Sequence, residues 1–155
     1  MFSFRKPPVF SSTLFDENGF YQAFLKDLKN CQKELVVESP YLTASRMESL
    51  YPIFEKLIQN GVKVAIITRD PIDHEDEYMR HQATNEILNC QEIGINMVLL
   101  KGFHHRKLAI IDRNILYEGS LNILSQTKSL EVMRRIEDRS LALEMLNFLK
   151  LGKIL

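Results

Sequence analysis

Three short aliphatic, β-branched runs recur along the chain, with helix-periodic stretches between them. This alternation constrains the fold more than any other feature. The runs are Glu34–Glu38, Val62–Thr68 and Ile95–Leu100. Each has the length and residue types of a buried strand. The first stops at Ser39-Pro40, because proline lacks the N–H a ladder needs. Phe20, Phe24, Leu25 and Leu28 put an apolar stripe on a helix over Gly19–Lys33. Met47, Leu50, Phe54, Leu57 and Ile58 do the same for a helix capped by Ser45 and closed by Gly61, with Pro52 kinking it or delaying its start. Asp70–Glu77 is acidic and reads as a loop, and Tyr78–Glu92 as a helix ending near Gly94. Further strands are expected at Phe103–Ile111, Ile115–Tyr117 and Leu130–Ile136, then a helix over Arg139–Leu151. Strands alternating with helices imply an α/β fold, a mixed sheet flanked by helices on both faces.

Composition limits what such a fold is for. The chain has 155 residues, 45% apolar and 26% charged, so residues 1–155 read as one globular domain. Lys plus Arg number 20 and Asp plus Glu number 20, which removes any broad electrostatic case for a polyanion partner. A polyanion site must therefore be local. Apolar runs reach only about four residues, far too short for a bilayer span. Met1–Phe10 is polar and broken by Pro7 and Pro8, which is no secretory leader, so the expected location is the cytoplasm. Cys31 and Cys90 make neither a disulfide framework nor a zinc knuckle and read as thiols in a reducing compartment. The chain stops abruptly on apolar residues, which points to a piece of a longer protein.

One segment carries chemistry. It reads His105-Arg106-Lys107, four residues, Asp112, six residues, then Gly119-Ser120-Leu121-Asn122. This H-x-K-x4-D-x6-G-S-x-N block resembles the HKD signature of the phospholipase D superfamily of phosphodiesterases. Ser39-Pro40-Tyr41 after the first strand resembles the turn before the long helix of those domains. Glu131, nine residues after Asn122, stands where superfamily members often carry a carboxylate.

The residue chemistry agrees. On a strand, His105 and Lys107 share a face and Arg106 points away. Lys107 supplies charge to the non-bridging oxygens of a phosphate diester, and His105 a nucleophile or a proton. Gly119 and Ser120 open a turn whose backbone can approach the substrate anion, and Asn122 offers an amide donor. Glu131 is expected to take the second N–H of the His105 imidazole. The resemblance makes Asp112 structural support with no chemical step.

Other clusters are weaker. His74 and His81 with Glu75, Asp76 and Glu77 are too widely spaced for a metal site, and the carboxylates read as a solvated loop. Arg134, Arg135 and Arg139 read either as a grip on a polyanion backbone or as a solvated face.

In double-motif superfamily members one histidine attacks phosphorus and a second protonates the leaving oxygen. This chain has one block. By resemblance to single-motif bacterial nucleases, the site is shared across a two-fold homodimer, with no metal and no cofactor. The leading expectation is a metal-independent nuclease, on DNA before RNA, forming a phosphohistidine intermediate. Such domains also occur fused to or associated with helicase or restriction modules. The alternatives are a hydrolase or transferase for lipid or another small phosphodiester, and an inactive dimerising nucleic-acid-binding module.

Overall fold

A computed structural model describes residues 10–125 and 128–155. Seven strands form one sheet: β1 (Ser11–Asp16), β2 (Glu34–Glu38), β3 (Lys63–Arg69), β4 (Asn96–Leu100), β5 (Leu108–Ile111), β6 (Ile115–Gly119) and β7 (Val132–Glu137). Their order across the sheet is β1-β7-β6-β5-β2-β3-β4. β2, β3 and β4 are parallel; β5, β6, β7 and β1 are antiparallel to their neighbours. The helices are α1 (Phe20–Asn30), α2 (Ala44–Gln59), α3 (Glu77–Ile93) and α4 (Arg139–Phe148).

Strand periodicity divides the core in two. Leu35, Val37, Val64, Ile66, Ala109 and Ile111 pack against Phe24 of α1, Phe54 of α2 and Ile87 of α3. The alternate residues Val36, Ile67, Leu108 and Ile110 meet Ala142 and Leu146 of α4 on the opposite face. Helices on both faces explain why β5 is apolar throughout and β2 and β3 are apolar except toward their ends.

The differences from the sequence reading are local. β1 lies at the sheet edge and is mostly exposed, so no buried stripe marks it. α2 begins after Thr43 rather than Ser45 and runs through Pro52, at the loss of one helical hydrogen bond. Gly61 and Gly94 follow α2 and α3 with φ of 79° and 101°, the left-handed geometry that ends helices. Within Asp70–Glu77, Pro71–Asp73 form a single 3-10 turn. The long strand expected over Phe103–Ile111 is only β5; residues 103–107 lie outside any ladder.

Candidate active site

Because β2 and β3 run against β5, and β6 against β5 and β7, one end of the sheet gathers distant parts of the chain. The C-terminal ends of β2, β3 and β6 meet the start of β5 and the segment before β7. The H-x-K segment crosses this end. At its start Gly102, at φ 87°, donates its N–H to Asp73 Oδ2 at 2.7 Å.

His105 is exposed, and Lys107 beside it is only 9% exposed. Lys107 Nζ lies 2.9 Å from His105 Nδ1 and 3.2 Å from Nε2, and donates to the His105 carbonyl at 2.7 Å. Slight burial, then the charges of Lys107, Arg69 and His104, hold the His105 imidazole below its ordinary pKa. Burial also lowers Lys107, opposed by Glu131 and aided by Arg69. An anion docking here would relieve the crowding of positive charge.

Asn122 stands past the end of β6 with its backbone carbonyl accepting from Ser125 N at 3.1 Å. Its Oδ1 is buried and has no hydrogen-bond partner among the described residues. Glu131 is placed differently from expectation. Its carboxylate accepts from Ser129 Oγ at 2.5 Å, and hydrogen bonds from Ser120 and Ser129 keep its pKa low, with Lys107 adding to this. Among the described residues no hydrogen bond joins it to His105; its charge acts instead on the lysine of the pair.

Gly119 and Ser120 do not open a free turn. Gly119 ends β6 opposite Met133, and a Cβ there would lie 2.2 Å from the Val132 carbonyl oxygen. Glycine is needed for close approach to β7, not for an unusual φ. Ser120 continues the pairing: its N–H donates to Val132 O at 2.9 Å and its Oγ accepts from Val132 N at 3.0 Å.

Asp112 lies at the far end of β5, about 16 Å along the strand from Lys107 at the usual rise. Its carboxylate accepts the backbone N–H groups of Gln32, Lys33 and Glu34 at 2.9, 2.7 and 3.0 Å. It fastens the β5–β6 hairpin to the end of α1.

Three residues that sequence reasoning did not select, Glu38, His104 and Arg69, complete the site. Glu38, fully buried at the end of β2, accepts from Arg106 Nε at 2.6 Å, Arg106 Nη2 at 3.0 Å and His104 Nε2 at 3.1 Å. Arg69, at the end of β3, donates to the His104 carbonyl at 2.9 and 3.3 Å. The available signal was an acidic residue closing an otherwise apolar run. The remaining clusters separate. His74 is buried beside the Tyr41 ring and His81 is exposed on α3. Arg135 pairs with Asp27 and Glu137, Arg134 donates to Ser12, and Arg139 begins α4.

A family model described as "Cardiolipin synthase, PLD-like domain" matches residues 24–150. The chain belongs to this family. This PLD-like domain is 28% identical over 128 residues to cardiolipin synthase A of Buchnera aphidicola subsp. Schizaphis graminum, covering 81% of this chain and 26% of that protein. It thus spans about a quarter of the length of the curated relatives it matches. Among solved structures it is similar to Nuc of Salmonella typhimurium, a phospholipase D family member (TM-score 0.70, 20% identity, 90% of this chain and 91% of that one). It is also similar to NucT of Helicobacter pylori (TM-score 0.69, 18% identity, 90% and 93%). The PLD-like domain therefore has the α/β fold expected from its strand and helix order. No helix among its described residues is long and apolar enough to cross a membrane.

Proposed function

We propose that this domain is a metal-independent phosphodiesterase whose preferred substrate is nucleic acid, DNA before RNA. The observation that carries this reading is the pairing of an exposed imidazole with a largely buried ammonium 2.9 Å away. The neutral His105 nitrogen attacks phosphorus, and the P–N bond forms as the bond to the leaving oxygen breaks. Lys107 and the Asn122 amide stabilise the charge that develops on the non-bridging oxygens. A second histidine protonates the leaving oxygen, then takes a proton from the water that cleaves the phosphohistidine. In this proposal it is His105 of a second copy across a two-fold axis. Phe103, two residues before His105, and Leu130, beside Glu131, are 93% and 91% exposed and offer apolar surface for that contact.

Similarity to Nuc and NucT along nearly their full lengths supports the nucleic-acid reading. A lipid phosphodiester is the second reading, favoured by the cardiolipin synthase relatives. The deciding experiment incubates the chain in EDTA with single-stranded DNA, phosphatidylglycerol vesicles and bis(p-nitrophenyl) phosphate, beside His105→Ala. Cleavage of DNA and of the nitrophenyl diester, lost in the variant, is expected. Headgroup release from vesicles without DNA cleavage selects the lipid reading. No turnover of any of the three, or equal turnover by the variant, overturns the phosphodiesterase.

A further inference from the structure

Residues 103–107 form no strand ladder, yet His105 and Lys107 stay on one side of the segment. Something other than sheet pairing must hold the backbone in that orientation. Extended backbone sends alternate side chains to opposite sides, so whatever fixes residues 104 and 106 also fixes 105 and 107. Both His104 and Arg106 end on the same carboxylate, that of Glu38. Among the described residues Glu38 is the one group hydrogen-bonded to the side chains on both sides of His105. We infer that Glu38 is a positioning residue for His105, its buried carboxylate clamping the two neighbours and so aiming the imidazole at the substrate side.

The chemistry requires a carboxylate. Arg106 presents only donors, so both Glu38 oxygens must accept, and His104 must carry its proton on Nε2 to join them. His104 Nδ1 is then the buried, unpartnered nitrogen. Burial raises the Glu38 pKa, but the hydrogen bonds from His104 and Arg106 outweigh it and keep the group ionised. A glutamine of the same size has one acceptor oxygen and turns N–H groups toward these donors.

The orientation is readable without substrate. The titratable and charged groups acting on His105 are Lys107 and His104 from its own segment and Arg69 from the end of β3, while Glu131 acts on Lys107. Releasing the clamp frees the imidazole from its slight burial and from the charges of Lys107 and Arg69, and its titration midpoint rises toward 6.5. Loss of the Glu38 charge alone would move it the opposite way, because removing a carboxylate disfavours imidazolium. The sign therefore separates positioning from plain electrostatics.

The test is an NMR titration of the four histidines, with the His105 signal identified by its loss in His105→Ala. It compares wild type, Glu38→Gln, Arg106→Ala and Asp27→Asn. Asp27 is a second buried carboxylate, bound to Tyr117 and Arg135, and serves as the control for general loosening of the sheet. Glu38→Gln should raise the His105 midpoint and Asp27→Asn should not. Arg106→Ala, whose side chain is half exposed, should raise it less and covers the case in which Glu38→Gln fails to fold. A His105 midpoint that is unchanged or lower in the folded variants, or equally raised in Asp27→Asn, overturns the inference. The turnover arm rests on the proposed phosphodiesterase: Glu38→Gln should lower kcat by roughly 100-fold with KM nearly unchanged. Absence of turnover in wild type would count against that reading alone, because the titration needs no substrate.

Discussion

At the scale of single residues, the His105–Lys107 pair sets both charge and pH response. The imidazole's lowered pKa keeps it neutral, and so nucleophilic, at pH values where an ordinary histidine is partly charged. The acid limb of kcat/KM for diester cleavage should therefore fall below 6.5, the ordinary midpoint. Lys107→Ala should move that limb upward and cut the rate by roughly 100-fold, about 3 kcal/mol for one lost donor to the phosphoryl oxygens. Asn122→Ala should cost a similar factor while leaving the His105 titration in place. Arg106→Ala acts only through the clamp and should be milder than either. Steady-state rates across pH check all three; rates within a few-fold of wild type for both Lys107→Ala and Asn122→Ala would show that these groups point elsewhere.

At the scale of elements, the hairpin β5–β6 carries the site at one end and its anchor at the other. Asp112 and Arg113 turn the chain with φ of 52° and 53°. Asp112 holds that turn by accepting three backbone N–H groups from residues about 80 positions earlier. Burial raises its pKa, but these hydrogen bonds lower it further, so the folded value lies below the ordinary 3.8. The unfolded chain then binds more protons than the folded one in that range. The stabilisation is complete above about 3.8 and is lost as pH falls through the lower folded value. Asp112→Ala should destabilise by about 3 kcal/mol, near 10 °C in Tm. It should also flatten the acid limb of stability, as thermal melts from pH 5 downward would show. Gly119→Ala is expected to cost about 2 kcal/mol or more, since β7 backbone occupies the space its Cβ needs. A variant melting with wild type would mean that β6 and β7 separate easily there.

At the scale of the whole molecule, the site occupies one end of the sheet. There His105 is exposed, two residues after the exposed Phe103. That arrangement leads to the prediction about assembly. In the shared-site reading, mixing wild type with His105→Ala under proven subunit exchange makes heterodimers with one histidine where two are needed. Activity should then fall below the wild-type fraction present. Linear dependence on that fraction, or full activity in a monomer at low concentration, would refute a shared site. Two lysines brought to one axis repel until an anion binds, so inorganic phosphate should stabilise the dimer and raise Tm. Sedimentation and melts with and without phosphate measure both effects.

What was legible in the sequence follows from distance along the chain. Apolar runs marked β2, β3 and β5 because these inner strands are covered on both faces, β4 kept an apolar run although it lies at an edge, and stripes marked α1 and α2 because each buries one side. The H-x-K-to-Asn122 block was legible because its groups lie within 18 positions, in and on either side of the β5–β6 hairpin. β1 was not, because an edge strand is held by its backbone ladder to β7 and leaves little pattern in its side chains. Residues 103–107 alternate as a strand would, but their order comes from Glu38 and Arg69 rather than a ladder. Glu38 lies 68 positions before Arg106, and Gln32 lies 80 before Asp112. Local pattern records what a residue buries or how its own backbone turns. It cannot record which distant donor will arrive, because that depends on strand order. Only the antiparallel pairing of β2 with β5 brought a buried carboxylate beneath the imidazole's neighbours.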